Sequence, residues 1–330
     1  MGRLWFFFVL IGTCVQAQVN VTGLVVDALS QEPLEGVSVF YDGTTIGTIT
    51  DQEGKFTIRS TKTLTTPLVI SFIGFESQTF LISNSGDLGT VLLKEKAVAL
   101  DEVVLEPDTW SREKKLNIFR REFLGKTAAA LQCKIRNEKD IRLYFNKEEK
   151  VLYAYAKAPI RIRNNYLGYD IAYELHDFEV HFSIGSGLEY VLSSYNAGTV
   201  LFSEKKEKVR RRYQKNREKT YLGSVLHFMR ALSKKELEEE KFKVFKGRTQ
   251  IGYYDAFALE SVKDLTKVVQ GEDELSLLYN NRQQSLIKVV NSTFFIDQYG
   301  NHTPVQNVFF GGEMGRLRVG DMLPLNYAID

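Results

Sequence analysis

The sequence predicts an all-β sandwich over residues 18–105, then an α+β domain built on a mainly antiparallel sheet over residues 112–330. Three observations predict this. Residues 19–105 carry about seven short alternating segments separated by turn residues, the spacing of a small sandwich. Apolar residues at helical spacing appear only beyond Ser111. The 330 residues include 16 Tyr and 22 Phe but 6 Pro, a balance that favours sheet in a chain long enough for two cores.

Hydrophobic residues at 44% and charged residues at 25% exclude wholesale disorder. The formal charge of +2 excludes a molecule that binds polyanions over its whole surface, so any electrostatic argument must be local. Residues 1–17 read as a secretory signal peptide. Arg3 supplies the positive start, Leu4 to Val15 is an apolar run of 12 residues, and Val15-Gln16-Ala17 offers a cleavage site after Ala17. Twelve apolar residues fall short of the roughly 20 that span a bilayer, and no later stretch approaches that length. The alternative is lipidation at Cys14, which follows Leu10-Ile11-Gly12-Thr13. With Cys14 gone, Cys133 is the remaining cysteine. It can form no intramolecular disulfide or multi-cysteine zinc site, and it reads as a small buried apolar residue.

Val21–Val26 is the first strand, and the polar turn Asp27–Pro33 leads to Gly36–Phe40. Gly43–Phe56 then reads as a hairpin: a strand with Ile46, Thr48 and Thr50 on one side, a tight turn, and a second strand resuming at Phe56 and Ile58. Asp51 is expected to accept a hydrogen bond from a backbone N–H two or three residues on, and Gly54 to take positive φ. Leu68–Phe72 with Gly74, Gln78–Ile82 and Thr90–Leu93 complete the set.

These residues resemble the carboxypeptidase-regulatory-like domain. Val21, Gly23, Val25 and Asp27 match its opening, and Pro33, Leu34, Gly36 and Val39 its second element. Thr50, Asp51, Gly54 and Phe56 match its turn, Ser71, Gly74 and Phe75 its next strand, and Leu100, Glu102, Val103 and Val104 its close. Five spaced motifs in order make the resemblance specific over about 85 residues. It implies a transthyretin-like, Ig-like sandwich acting as a non-catalytic module in cell-envelope proteins of Bacteroidetes-type bacteria. There the module often precedes a TonB-dependent transporter; no plug or barrel follows here, so that role does not carry over.

Residues 106–111, with Pro107, read as a linker, and Ser111 as the N-cap of a helix whose first turn holds Glu113. Leu116, Phe119, Arg120, Phe123 and Leu124 form its stripe. Strands are predicted at Ile141–Phe145, Val151–Ala156, Ile160–Arg163, Ile171–Leu175 and Phe178–Phe182, with Gly185-Ser186-Gly187 a loop before another strand. Leu222–Glu240 reads as the clearest helix. Phe242–Phe245, Tyr253–Glu260, Leu286–Val290, Thr293–Ile296 and Val305–Phe310 read as strands. FRREFLGKTAAALQCKI, NNYLGYDIAYEL, YLGSVLHFMRAL and RVGDMLPLNY resemble the region that accompanies the regulatory-like domain in such envelope proteins, a resemblance that implies no mechanism.

The sharpest catalytic candidate is His176-Asp-Phe-Glu179, an H-x-x-E as in zinc carboxypeptidases, with His302 as third ligand and an open position for water. Against it, residues three apart on a strand face opposite sides, and His181 falls across the sheet from His176. His227 lies off the apolar stripe of its helix and reads as solvated or interdomain. No nucleophile elbow, H-E-x-x-H helix or phosphate loop occurs, and no cofactor is expected. Lys205–Lys219 holds nine basic and two acidic residues, a local charge of 9 − 2 = +7. In an exported chain such a run suits lipopolysaccharide phosphate or anionic polysaccharide rather than nucleic acid; the bland reading is a solvated face. Arg210, Arg211 and Arg212 are the candidate anion-binding residues, because guanidinium donates two parallel hydrogen bonds to phosphate. The resulting expectation is a non-catalytic exported protein, periplasmic or at the outer membrane, that binds an envelope protein or anionic polymer. A zinc carboxypeptidase is the alternative.

Overall fold

The two strands of the stretch Gly43–Phe56 do not pair with each other. The structure, a computed structural model, describes residues 19–60, 64–82, 84–96, 110–185, 188–204 and 210–328. The signal peptide, the closing motif at 100–104, most of the linker and residues 205–209 of the basic run lie outside them. Seven strands form the N-terminal part: β1 (Val19–Asp27), β2 (Ser38–Tyr41), β3 (Gly47–Ile49), β4 (Lys55–Ser60), β5 (Leu68–Ser71), β6 (Gln78–Phe80) and β7 (Gly86–Leu93). One sheet runs β4-β1-β7 and the other β3-β2-β5-β6, so β3 and β4 lie in opposite sheets. The hairpin expectation is therefore corrected to a crossing. Thr50 closes the end of β3 onto the residue just before β2 through Thr50 N–H to Val37 O (3.0 Å), while Val25 N–H reaches Gly54 O (2.8 Å) and starts β4 on β1. The β1–β7 pair is parallel in an otherwise antiparallel sandwich.

The turn itself forms as its residues dictate. Gly54 has φ +73°, and its N–H donates to Asp51 O (3.0 Å). The Asp51 carboxylate accepts from Lys55 N–H at 2.8 Å, four residues on rather than two or three. Thr50 is buried; it accepts from Val37 N–H (2.9 Å) and donates to Leu34 O (2.6 Å).

Helix α1 (Arg112–Leu124) is capped by Ser111, whose Oγ accepts from Lys114 N–H (3.2 Å). It lays Phe119 and Phe123 on Phe178, at 4.8 and 6.3 Å between ring centroids. The sheet beneath comprises β8 (Cys133–Ile135), β9 (Ile141–Asn146), β10 (Val151–Ala156), β11 (Ile160–Asn164), β12 (Tyr169–Gly185) and β13 (Leu188–Glu204). The two predicted strands at 171–175 and 178–182 are one strand, β12, paired along its length with β13. A bulge at Leu175–Asp177 shifts the inward set from Ile171, Tyr173 and Leu175 to Phe178, Val180 and Phe182. That one extra residue is why two alternating runs appear in the sequence.

Two helices follow, α2 (Arg211–Tyr221) and α3 (Val225–Lys234). The single helix expected over 222–240 is thus shorter at both ends. Gly223, at φ +79°, breaks it from α2, and Ser224 caps α3 by accepting from His227 N–H (3.2 Å). Lys235 in the left-handed region ends it, with Glu236 N–H returning to Ala231 O (2.8 Å). The rest comprises β14 (Phe242–Lys246), β15 (Thr249–Ile251), β16 (Phe257–Val262), β17 (Leu265–Gln270), β18 (Glu274–Tyr279), β19 (Gln283–Val289), β20 (Thr293–Asp297), β21 (His302–Thr303) and β22 (Val308–Gly311). They form two antiparallel sheets, β15-β14-β18-β19-β22 and β16-β17-β20-β21. Tyr253–Ala256, expected as strand, is a helical turn that lets the Tyr253 hydroxyl reach Phe242 O (2.8 Å) and buries Ala256. Val305–Asn307 is likewise a helical turn before β22. β8, β15, β17, β18 and β21 are strands that the alternation in the sequence does not predict.

Buried apolar residues fall into three clusters. The first is the sandwich core; the second lies under α1 and closes over Val319 and Leu323; the third is wrapped by β14–β22 around α3. The segment 112–330 holds the last two.

Candidate functional site

The sandwich is fixed to the remainder by backbone and side-chain hydrogen bonds. Gly43 N–H donates to Val200 O (2.8 Å), Phe202 N–H to Thr44 O (3.0 Å), and Val200 N–H to the Asp42 carboxylate (2.6 Å), so the β2–β3 turn adds itself to the edge of β13. Ser77 Oγ donates to Glu174 Oε1 (2.7 Å), and Leu325 N–H to Gly43 O (2.7 Å). Tyr299, 3% exposed, completes the sandwich core from a turn after β20. Asp297 holds that turn by accepting from Tyr299 and Asn301 N–H (2.8 and 2.9 Å) and from the Thr65 hydroxyl.

The basic run divides in two. Arg217 is buried; its guanidinium lies over the Tyr169 ring (3.9 Å) and donates to Leu167 O (2.8 Å) and Glu204 (2.5 Å). It is a structural cation that clamps α2 on the turn before β12, where Asn216 also donates to Tyr166 O (2.8 Å). Arg210, Arg211 and Arg212 are exposed at the start of α2, and no carboxylate among the described residues pairs with them. They stand at the positive end of the helix, where its dipole adds to their charge. Arg212 lies 4.9 Å from the Tyr213 ring centroid and donates to its hydroxyl (3.2 Å), which, first among the causes, lowers the tyrosine's pKa.

The H-x-x-E residues are not split across β12 as the strand period predicted. The bulge leaves His176 exposed and returns Glu179 and His181 to the same outward side, with His181 Nε2 2.9 Å from Glu179 Oε2. His302 stands on β21 in another sheet, and the three do not come together as a metal-holding group among the described residues. Cys133 is half-buried; burial pushes its thiol up to about 12, so it carries no thiolate at neutral pH.

His227 is the residue most misjudged. It is 2% exposed, because α3 lies between two cores and is buried on both faces from His227 to Leu232. Its Nδ1 accepts from Gly223 N–H (3.0 Å), so the ring proton sits on Nε2 and is donated to Glu240 (2.8 Å). Burial, above the opposing pull of Glu240, lowers its pKa; burial also depresses His302, to about 4. Both histidines bind fewer protons folded than unfolded, so stability should fall as pH drops below about 6.5. The loss for His302 should be about 1–2 kcal/mol by pH 5. Burial raises Asp42, Asp297 and Asp321, and these work the other way just above their ordinary values near 3.8. Urea unfolding at pH 7 and pH 5 checks the expectation: His302→Leu should lose less between the two than the wild type.

The comparisons with known proteins bear on the sandwich. Residues 21–105 match the family model of the CarboxypepD_reg-like domain. Over 88 residues the chain is 38% identical to the TonB-dependent receptor SusC of Bacteroides thetaiotaomicron, which is 27% of this chain and 8% of that protein. Among solved structures, a type II cohesin–X-dockerin complex of Acetivibrio cellulolyticus is 20% identical over 23% of this chain and 56% of that one, with a TM-score of 0.20. The C-terminal domain of the shaft pilin SpaA from Lactobacillus rhamnosus GG is 15% identical over 24% of this chain and 99% of that one, at 0.19. At such scores the structural likenesses carry no argument. The N-terminal part is a carboxypeptidase-regulatory-like β-sandwich. The family match ends at residue 105, before α1 begins at Arg112.

Proposed function

We propose that the protein is a non-catalytic component of the cell envelope, exported to the periplasm or the outer-membrane surface, that acts by binding. The observation that carries this reading is the match of residues 21–105 to a regulatory-like module, together with the partial likeness to a TonB-dependent receptor. The welded sandwich supports a rigid binding body rather than a tethered regulatory arm, with residues 18–105 as one domain and 112–330 as the part it braces. Export is tested by intact mass of the protein purified from the envelope. The mature chain should begin at Gln18; a retained Met1, or lipid on Cys14, contradicts cleavage after Ala17.

The binding surface we assign is Arg210, Arg211 and Arg212, and its ligand is anionic envelope polymer such as lipopolysaccharide. Replacing the three with Gln should weaken binding to lipopolysaccharide at low salt several-fold and leave the melting temperature nearly unchanged, since none of them is buried. Affinity should also fall as salt shortens the Debye length from about 10 Å at 0.1 M to about 3 Å at 1 M. Salt-insensitive binding, or binding untouched by the substitutions, means the run is a solvated face. No observation favours the zinc reading.

A further inference from the structure

A cleft of about 460 Å³ opens where the three cores meet. Its walls come from four separate parts of the chain: Tyr195 and Asn196 on β13, Val225 and Leu226 at the start of α3, Asn301 and His302, and the C-terminal segment Leu317–Leu325. The volume lies in the range of small-molecule sites, and most of the wall is apolar. Its two charged residues are already engaged. The Arg318 guanidinium donates to Gly315 O (2.7 Å), Leu317 O (2.9 Å) and Ser194 Oγ (3.3 Å). The Asp321 carboxylate accepts from the Thr127 hydroxyl (2.5 Å) and from Arg318 N–H (3.3 Å). Three donors of the Arg318 guanidinium and both Asp321 oxygens are thus already taken up within the protein, and the remaining wall favours a ligand that does not need its hydration.

His302 differs from these. Its ring meets Phe310 edge-on at 6.2 Å, and no side-chain hydrogen bond to it is found among the described residues. A half-buried imidazole whose ring nitrogens have no side-chain partner among the described residues is thus a polar group at hand for a ligand in an apolar cleft. Tyr195, 54% exposed, stands on β13 at the same cleft and offers a flat face.

We infer that this cleft binds an uncharged, largely apolar ring compound bearing one hydroxyl or carbonyl, with Tyr195 packing on the ring and His302 making the hydrogen bond. Because burial keeps His302 neutral at pH 7, it can accept from a hydroxyl or donate to a carbonyl without a charge to balance. The site is separate from Arg210–Arg212 and does not depend on anionic-polymer binding.

The probes are 2-naphthol and naphthalene, which share a ring system and differ by one hydroxyl. Calorimetric or fluorescence titration of the full chain should give one saturable site, with 2-naphthol bound about tenfold tighter, the equivalent of about 1.4 kcal/mol. His302→Leu should remove most of that preference while leaving naphthalene binding in place. Tyr195→Ala, at an exposed position, should weaken both probes alike, and Leu317→Trp should block both by filling the cleft. Each folded variant is recognised by an unchanged circular dichroism spectrum, and Tyr195→Ala keeps the test open should Leu317→Trp not fold. Equal affinity for the two probes, a preference that survives His302→Leu, or non-saturating uptake indifferent to Tyr195→Ala overturns the assignment. Arg210, Arg211 and Arg212→Gln should leave 2-naphthol binding unchanged, so failure of the polymer reading and failure of this one are told apart.

Discussion

Arg230→Ala should destabilise the protein by about 3–5 kcal/mol, the largest effect expected of a single side chain here. Arg230 is 5% exposed on α3, and its three guanidinium nitrogens each serve a different backbone carbonyl: Nε that of Tyr299 (2.9 Å), Nη1 that of Tyr327 (2.9 Å) and Nη2 that of Leu325 (2.8 Å). The plane also lies over the Tyr221 ring, 5.4 Å from its centroid. Truncation orphans three acceptors in a space that the neighbouring glycine keeps narrow: a Cβ at Gly300 would sit 2.7 Å from Arg230 Cγ. Each stranded acceptor costs about 1–3 kcal/mol, and Lys, with one nitrogen in place of three fixed donors, should recover only part. Urea unfolding followed by circular dichroism is the measurement. A loss below about 1 kcal/mol would mean that water takes over the carbonyls.

Gly54→Val should cost about 2–4 kcal/mol. Backbone strain at φ +73° contributes about 1–3 kcal/mol for a residue with a branched Cβ. The rest comes from contact, because a Cβ at Gly54 would lie 2.5 Å from Val25 O, and that oxygen belongs to the strand that Gly54 joins. Asp51→Ala removes the bond to Lys55 N–H and should cost about 1 kcal/mol. Thermal unfolding of the two variants should rank them in that order. Equal melting temperatures for wild type and Gly54→Val would contradict the turn's geometry.

The sandwich was legible because its signals are local. Asp51 and Gly54 specify a turn within four residues, and the period-two segments specify strands. Which strand pairs with which is not local: β3 and β4 are neighbours in sequence and sit in opposite sheets because their partners, β2 and β1, do. The bulge at His176 was hidden for a related reason, since one extra residue in a ladder leaves no mark in composition while reversing the face of everything after it. His227 was misplaced because the stripe rule assumes a helix with one core beside it, and α3 has two. The cleft could not be read at all. Its walls are as much as 131 positions apart in the chain, from Ser194 to Leu325, and only the closed fold brings them together.

That closure has its own consequence. Asn326 donates to the Thr45 hydroxyl (2.8 Å) and accepts from Thr45 N–H (3.1 Å), across 281 positions. Leu325 N–H seals the same point on Gly43. The docking of residues 43–45, though not the pairing of the sandwich strands themselves, is thus completed only by the last part of the chain, a loop closure across 281 positions. Until then, the edge of β13 that the β2–β3 turn covers has its hydrogen-bonding groups open to any passing strand. In the finished protein the sandwich and the C-terminal segment together act as a cover for that edge, and folding is a race between the cover and aggregation.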